Sequence, residues 1–469
     1  MYLDPGDLVG IADVLGLGEP GSRLRAINLR RIDIAEDAIH RLPEMVRSVL
    51  RPGPIVVLGD QVPIRRDDAE LKPLVAELLR PLGVVHEVRL GTPGVELHAD
   101  ADAVEAASQA CAAAGCVVAV GSGTVCDIGK EASKRAGAPF VVVQTACSVN
   151  AFSDDMAVLL VNGVKRTIAS RWPDTMTADL RVLAGAPPAM NRAGVGELLA
   201  MFTAPADWCL AAALGMDDTF DQRVVALYRD GASALIDAAG RTTSGDPSAL
   251  RTLTDLMTLS GLAMGVAGRT APVSGTEHTV SHLLDMAAAH TGQKTGLHGA
   301  QVGVAALSVA VAWDRMLETL DPQRLLDGIG SESDVAYRRI VGAFEELDPS
   351  GVMAAECWAQ YSRKLDRWRA QAPAVRAFVA DWDRVHAELR ELLGSPAVIA
   401  RTLRAAGAPA RFEELDPPAS RATAVWALLN GHLIRDRFTL ADLAWFAGAW
   451  TPGFVDEAIE TADAWAQTG

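Results

Sequence analysis

The sequence predicts two domains: an α/β domain built on a parallel sheet, followed by an all-α domain. Over residues 1–186, short apolar runs alternate with amphipathic helical segments, as expected for parallel strands with crossover helices. Over residues 187–469, long segments rich in Ala, Leu and Val with helical periodicity take their place. A chain of 469 residues is also longer than one hydrophobic core usually serves.

Four apolar runs in the first domain have the length and boundaries of buried strands. They cover residues 54–59, 84–90, 116–120 and 139–143. Helical spacing of apolar residues predicts helices over 67–80 and 100–114, and a third helix runs from the glycines after the third strand to about residue 135.

Composition excludes several classes of protein. The formal net charge of −16 argues against nucleic acid or an anionic membrane surface as the main partner. The six cysteines form no CxxC pair, so we expect reduced, buried thiols. We see neither a signal peptide nor an uncharged run of membrane-spanning length, and we expect a cytoplasmic protein without membrane insertion.

A glycine-containing turn follows the third predicted strand and leads into a helix. Its residues are Gly121, Ser122, Gly123 and Thr124. Glycines allow close backbone approach, and free N–H groups at a helix start attract phosphate. The third glycine of a Rossmann fingerprint is replaced by Cys126. The alternative is a plain tight turn, with Asp127 merely favouring the helix N-terminus.

Polar residues follow two other predicted strands. Thr145 and Ser148 come after the fourth strand, at the sheet edge where open α/β sheets bind ligands. Asp60 ends the first strand, where a carboxylate favours NAD by repelling the 2′-phosphate of NADP. Each is equally an ordinary loop or turn residue.

Four of the nine histidines lie within residues 274–298, which favours a metal site. Ser274 and Glu277 form a capping-box pattern that predicts a helix start at this point. His278 and His282 are four residues apart and share one helix face; His290 falls near the helix end, and His298 precedes an apolar helix over 302–311. Spacing alone leaves open which two bind a metal, or whether some are simply buried or hydrated.

Together these segments resemble the iron-type alcohol dehydrogenases, glycerol dehydrogenases and dehydroquinate synthases, and within them most closely the sn-glycerol-1-phosphate dehydrogenases. The similarity extends over nearly the whole chain. It rests on the order of segments 121–130, 164–166, 177–179, 194–197, 206–208, 274–282, 298–304 and 434–443.

The resemblance implies site residues position by position. NAD or NADP would be bound by Gly121, Ser122, Gly123 and Thr124, with contacts from Thr145 and Ser148. Asp127 and Asp60 are further candidates for cofactor contact from their positions in the sequence. One divalent metal would be bound by Glu197, His278 and His298, with His282 as a polar neighbour. Two departures stand out: the dehydrogenases have Asp where this chain has Glu197, and Asn150-Ala151 replaces their Asp-Gly.

The leading expectation is a metal-dependent, NAD(P)-linked oxidoreductase that interconverts sn-glycerol 1-phosphate and dihydroxyacetone phosphate, or acts on a related polyol or keto-phosphate. Lys165, Arg166 and Lys294 are candidates for binding the substrate phosphate, against an alternative of solvated surface charges. The rival hypotheses are a dehydroquinate synthase-like enzyme that uses NAD transiently and a non-catalytic paralogue. Sequence leaves open the substrate, the choice among Zn, Ni and Fe, NAD against NADP, and a homo-oligomer.

Overall fold

The computed structural model describes residues 2–330 and 332–468, which form two compact units. The first unit holds the chain up to Val161 together with Lys165–Val195 and Arg223–Arg269. The second holds Asn162–Val164, Gly196–Gln222 and the chain from Thr270 onward.

The described residues of the chain form ten strands. They are β1 (Arg31–Ala35), β2 (Ile55–Asp60), β3 (Arg65–Arg66), β4 (Ala69–Glu70), β5 (Val85–Leu90), β6 (Cys116–Gly121), β7 (Phe140–Gln144), β8 (Met156–Val161), β9 (Val164–Ala169) and β10 (Thr175–Asp179). The first unit is organised around a six-stranded, wholly parallel sheet in the order β1-β10-β7-β6-β2-β5. Two further pairs, β3-β4 and β8-β9, form small sheets.

Helices cover the sheet and build the remainder of the chain. The first seven helices are α1 (Leu8–Leu15), α2 (Leu42–Arg47), α3 (Leu71–Leu79), α4 (Ala101–Cys111), α5 (Gly123–Ala136), α6 (Leu180–Ala184) and α7 (Pro188–Leu198). They continue with α8 (Ala204–Ala213), α9 (Gln222–Arg229), α10 (Ala232–Ala238), α11 (Pro247–Ala267), α12 (Thr276–His290), α13 (His298–Thr319), α14 (Arg324–Gly328), α15 (Ser333–Phe344), α16 (Val352–Ala370), α17 (Ala372–Ala380), α18 (Trp382–Leu392), α19 (Pro396–Ala406), α20 (Arg421–Asn430), α21 (Leu440–Phe446) and α22 (Pro452–Thr468).

The predicted fold class is confirmed, a parallel α/β sheet followed by an all-helical region. The four strands expected from apolar runs are β2, β5, β6 and β7, each within a residue of its predicted bounds. Their side chains are almost wholly buried in β2, β6 and β7, because helices cover both faces of a parallel sheet. Sequence analysis missed β1 and β10, which complete the sheet on the far side of β7.

The units divide the chain differently from the predicted boundary between residues 186 and 187. Residues 188–195 and Arg223–Arg269 belong with the sheet, although they are helical. The reason is packing: α11 lies against β1 and α6, and its apolar residues are almost entirely buried. Helical periodicity identified the secondary structure of this segment correctly but could not reveal which core it joins.

The second unit is helical and has aromatic and ionic contacts in its interior. Trp368 stacks on Phe446 with ring centroids 4.4 Å apart. The ammonium of Lys364 lies 2.7 Å from a carboxylate oxygen of Asp442, and both side chains are completely buried. Helix α13 has the length and apolar composition of a membrane span, but 89% of that stretch is buried inside the protein, as in the central helix of a folded core.

All six cysteines are buried and none forms a disulfide, as expected. Burial raises the pKa of the Cys111 and Cys116 thiols to about 12, so these side chains are packed as neutral thiols.

Candidate functional site

The glycine turn lies at the carboxyl edge of the sheet, where β6 leads directly into α5. Ser122 is the N-cap residue of α5, and its side chain makes no capping hydrogen bond. The N–H groups in the first turn of α5, a helix of 14 residues, are therefore not capped by the Ser122 side chain. These N–H groups lie at the sheet edge. Gly121 pairs with Gln144 of β7, so Thr145 and Ser148 follow at the same edge, both buried.

Close packing requires both glycines of this turn. A Cβ on Gly121 would lie 2.6 Å from the Cβ of Val125, and one on Gly123 would lie 2.8 Å from a methyl of Val149. The tight-turn alternative therefore explains why these residues are glycine. The same compactness places the amide groups of the helix start at the edge, so packing and phosphate binding are compatible roles.

Asp127 lies beyond the first turn of α5 and is buried next to Lys130, whose ammonium contacts Asp154 at 2.6 Å. Burial raises the pKa of Asp127 to about 7, against the lowering effect of Lys130. The backbone of Val158 also hydrogen-bonds to this carboxyl group. These contacts occupy Asp127 inside the protein, which leaves the helix start itself as the stronger candidate for cofactor contact.

Asp60 is paired with a buried cation. The Lys72 ammonium, on a side chain only 1% exposed, lies 2.7 Å from a carboxylate oxygen of Asp60 and also donates to its carbonyl oxygen. Asp60 ends β2, the strand beside β6, so it lies at the same edge as the glycine turn. Because Lys72 offsets its charge, Asp60 repels a 2′-phosphate less than an unpaired carboxylate would.

Glu197, His278 and His298 are brought together in the second unit. One carboxylate oxygen of Glu197 is 3.3 Å from Nε2 of His278, and the other is 3.8 Å from Nε2 of His298. The potential ligand atoms of all three residues lie within 4.8 Å of one another. Glu197 and His278 are buried, and the His298 side chain is 21% exposed.

Glycines permit this convergence. Gly196 immediately precedes Glu197, and a Cβ on Gly196 would lie 2.3 Å from the backbone oxygen of Gly299. A Cβ on Gly303 would lie 2.8 Å from the Cα of Gly196. The backbone beside Glu197 therefore rests directly on the first turns of α13, whose first residue is His298.

A buried carboxylate holds His278. Glu277 accepts hydrogen bonds from the Gly275 amide at 2.6 Å and from the Thr203 hydroxyl at 2.8 Å, and lies 3.0 Å from Nδ1 of His278. Burial alone would lower the pKa of His278, but the charge and hydrogen bonding of Glu197 and Glu277 outweigh it and raise this pKa to about 9. A carboxylate at Nδ1 leaves Nε2 directed at Glu197, the arrangement typical of a metal-binding histidine.

The predicted capping box is wrong in its register. Helix α12 begins at Thr276 with Gly275 as its N-cap, one residue after the predicted N-cap Ser274. Asp207 explains the difference, because its carboxylate accepts from both the amide and the hydroxyl of Thr276. Arg437 meanwhile binds the carbonyl and hydroxyl oxygens of Ser274.

The remaining histidines of this segment have different surroundings. His282 is buried one turn beyond His278, and its ring centroid is 5.4 Å from that of His298. His290 is exposed at the end of α12. The site therefore includes His282 as a neighbour and leaves His290 outside.

The candidates for phosphate binding are scattered. Lys294 is exposed in the segment between α12 and α13 of the second unit. Lys165 and Arg166 are consecutive on β9, so their side chains leave opposite faces of the strand and cannot contact one phosphate side by side. Asn150 lies after β7 in the first unit, and the carbonyl of its neighbour Ala151 accepts from Lys130 at 2.8 Å.

Several polar residues near the sheet edge and near the histidine cluster could not be recognised from the sequence. Lys72, Asp207, Ser281 and Gln301 are polar residues in apolar segments, and each is buried with a polar partner. The only sign of their burial in the sequence is that each is a polar residue on the apolar face of a helix. Such positions seldom reveal which distant group they contact.

Comparison with known proteins agrees with this architecture. The family model described as iron-containing alcohol dehydrogenase matches residues 33–187. A glycerol-1-phosphate dehydrogenase [NAD(P)+] of Pyrococcus furiosus is 35% identical over 207 residues, which are 43% of this chain and 58% of that protein. One of the same name from Halalkalibacterium halodurans is 34% identical over 196 residues, 42% of this chain and 49% of that protein. These matches thus span about half the length of the relatives.

A longer match and the solved structures extend the likeness. A glycerol-1-phosphate dehydrogenase [NAD(P)+] of Bacillus licheniformis is 28% identical over 377 residues, covering 77% of this chain and 93% of that protein. A probable glycerol dehydrogenase from Sinorhizobium meliloti shares the fold with a TM-score of 0.60 at 16% identity, over 95% of this chain and all (100%) of that one. The chain is thus similar to iron-containing alcohol dehydrogenases in the sequence of residues 33–187, and to glycerol dehydrogenases in its fold.

We predict that Gly196→Ala weakens binding of Zn²⁺ by Glu197, His278 and His298. The substitution should also lower the free energy of unfolding by about 1–3 kcal/mol, the usual cost of overpacking. The added methyl group must displace the backbone of Gly299, 2.3 Å away, and so moves Glu197 relative to His298. Denaturant unfolding and Zn²⁺ titration measure the two effects. Gly453→Ala is the control, because a Cβ there meets nothing within 4 Å; equal behaviour of both variants would contradict the prediction.

We predict that Asp127→Asn becomes progressively more stable than the wild type as pH rises from about 4 to about 7. A carboxyl group whose pKa is about 7 when folded keeps a proton that the unfolded chain has lost, so wild-type stability falls through this window. The expected slope of the difference is about 1.4 kcal/mol per pH unit. Urea unfolding at several pH values measures it, and Asp366→Asn, at a side chain 75% exposed, should show no such slope.

Proposed function

We propose that this chain is a metal-dependent, NAD(P)-linked oxidoreductase that interconverts sn-glycerol 1-phosphate and dihydroxyacetone phosphate. The observation that carries the proposal is the convergence of the Glu197 carboxylate with Nε2 of His278 and of His298. The names of the matching relatives, glycerol-1-phosphate dehydrogenase [NAD(P)+], support the substrate and the cofactor.

The donor set fits one divalent cation. Ligand bonds of about 2.0–2.2 Å to a tetrahedral ion place neighbouring ligand atoms about 3.4 Å apart. One Glu197 oxygen is 3.3 Å from Nε2 of His278, and one potential ligand atom from each of the three residues lies within 4.8 Å of the others. Three protein ligands leave a coordination position for substrate, as in catalytic rather than structural sites. When bound, the ion supplies Lewis-acid polarisation of the substrate oxygen. Zn, Ni and Fe(II) all accept this combination of ligands.

The residues around the proposed cation site determine where the proton of His278 lies and how much negative charge surrounds the site. Glu277 holds the Nδ1 proton of His278, which keeps Nε2 directed toward Glu197. Its own pKa is lowered despite complete burial, because hydrogen bonds from His278 and Gly275 stabilise the carboxylate. Burial and the charge of Glu277 raise the pKa of nearby Asp207 to about 7. This concentration of buried carboxyl groups favours a cation at the site.

The sheet edge of the first unit fits a dinucleotide. The uncapped first turn of α5 offers amide N–H groups for the pyrophosphate, and Ser122, Thr124, Thr145 and Ser148 supply hydroxyl groups at the same edge. The nicotinamide supplies the hydride, and the chain supplies its placement. We further propose that the enzyme acts in the cytoplasm on a phosphorylated substrate, with Lys294, Lys165 and Arg166 as separate, alternative candidates for phosphate contact.

We predict that His298→Ala loses stoichiometric Zn²⁺ and at least 100-fold of kcat/KM for dihydroxyacetone phosphate reduction, because one of three ligands is removed. Elemental analysis and NADH oxidation measure the two effects. His290→Ala is the matched control, since it removes an exposed imidazole from the same segment. Near-normal metal content in His298→Ala would contradict the ligand assignment.

The same assay separates the rival reaction classes. Net oxidation of NADH by a keto-phosphate supports the dehydrogenase. Turnover of a substrate without net change in NADH would indicate a synthase that uses the nucleotide transiently. Absence of both turnover and nucleotide binding would indicate a non-catalytic chain.

We predict that Lys72→Met lowers the ratio of kcat/KM for NADP⁺ to kcat/KM for NAD⁺ about tenfold, equivalent to about 1.4 kcal/mol. The substitution leaves the Asp60 charge without its partner, so that a 2′-phosphate is repelled more strongly. The ratio is taken within one preparation and is insensitive to partial misfolding. Lys134→Met, at a side chain 44% exposed, should keep the wild-type ratio; an unchanged ratio in Lys72→Met would show that Asp60 does not face the cofactor ribose.

A further inference from the structure

A chain of buried polar side chains lies behind His298. The Ser281 hydroxyl is 2.7 Å from Nδ1 of His298 and donates to Oε1 of Gln301 at 2.7 Å. Nε2 of Gln301 in turn donates to the carboxylate of Asp285 at 3.1 Å. Ser281, Gln301 and Asp285 are at most 4% exposed. We call these three residues the Ser281–Gln301–Asp285 chain.

The direction of these hydrogen bonds is fixed from the charged end. An ionised carboxylate only accepts, so Asp285 orients the amide of Gln301 with Nε2 toward itself and Oε1 toward Ser281. The amide oxygen also only accepts, so the single hydroxyl proton of Ser281 is directed to it. The Ser281 oxygen therefore accepts from His298, which requires the proton of a neutral imidazole to be on Nδ1.

From this geometry we propose that the Ser281–Gln301–Asp285 chain is a positioning device, which holds His298 in its Nδ1–H tautomer and keeps the Nε2 lone pair available to a divalent cation. The inference rests on the proposed function, because it concerns the same cation site. None of the three residues is placed as a ligand; they act through His298 alone.

The two histidines are thus oriented by different partners. His278 has the carboxylate of Glu277 at Nδ1. His298 has a neutral hydroxyl at Nδ1 instead, and the carboxylate of Asp285 is three hydrogen bonds away from the imidazole. A carboxylate partner makes an imidazole ligand more basic, and a hydroxyl fixes the tautomer without adding that charge. The device therefore selects a lone-pair direction in a site already rich in negative charge.

The test compares Zn²⁺ affinity and the visible absorption of bound Co²⁺ in the full-length chain, stripped of metal and reloaded. Ser281→Ala removes the acceptor of the His298 proton, and Gln301→Met removes the acceptor that orients Ser281 while leaving its hydroxyl in place. We expect both variants to bind Zn²⁺ about 10–100-fold more weakly, with a shifted or weakened Co²⁺ band. Loss of affinity in Gln301→Met, which keeps the Ser281 hydroxyl that contacts His298, distinguishes orientation from simple contact.

Ser281→Thr keeps the hydroxyl and should retain wild-type affinity within about threefold, the effect of less than 1 kcal/mol. Ser308→Ala is the matched control, a buried serine of α13 whose hydroxyl bonds only to the carbonyl of Val304 among the hydrogen bonds described for it. If Ser281→Ala does not fold, Gln301→Met carries the same comparison.

Unchanged Zn²⁺ affinity and an unchanged Co²⁺ band in Gln301→Met and Ser281→Ala would overturn the inference while the proposed function stands. A wild-type chain that retains no Zn²⁺ after loading would overturn both.

Discussion

The close approach of glycine backbones is the constraint on which the cation site depends. Gly196 lies against Gly299 and Gly303 without room for a side chain, so the carboxylate of Glu197 is held beside the first residue of α13. The third side chain of the cluster, His278, comes from α12, which packs against α13. Three side chains from separate segments thus converge because their backbones are packed too closely to move independently.

Electrostatics completes what packing begins. Glu197, Glu277, Asp207 and Asp285 are all buried in the same unit, and His278 and His298 lie next to two of them. Raising the pKa of His278 to about 9 is the response of the chain alone, since a proton then partly balances these carboxylates. A divalent cation at the same point would balance them more fully, which is why the arrangement favours metal binding over a purely structural network.

The sequence predicted the sheet because buried strands depend on local pattern, whereas the choice of Glu197, His278 and His298 came from the resemblance to a family. Apolar runs of strand length identified β2, β5, β6 and β7, and the spacing of His278 and His298 within one segment restricted the search for a metal site. The strands β1 and β10 were missed because polar residues such as Asp33 and Thr177 interrupt their apolar runs. The grouping of α11 with the sheet was missed because periodicity describes a helix and not its neighbours.

The contacts that position the site were beyond sequence reasoning for a related reason. Asp207 meets Thr276 across 69 residues of chain, and Glu277 meets Thr203 across 74. Neither pair has a characteristic spacing, since a hydrogen bond between distant segments can join any two that the fold brings together. The predicted capping box at Ser274 was wrong for this reason. The carboxylate of Asp207, distant in sequence, accepts the hydrogen bond from the amide of Thr276 at the start of α12, so the Ser274 side chain does not cap this helix.

Glu197 shows how a departure from a family pattern is accommodated. An aspartate at this position would bring its carboxylate to the imidazoles over a shorter side chain, whereas here the two oxygens of Glu197 reach different histidines, at 3.3 and 3.8 Å. The backbone bearing this side chain lies directly on α13, because Gly196 has no Cβ to separate them. Close packing at position 196 and the reach of the Glu197 side chain together place its carboxylate between the two imidazoles.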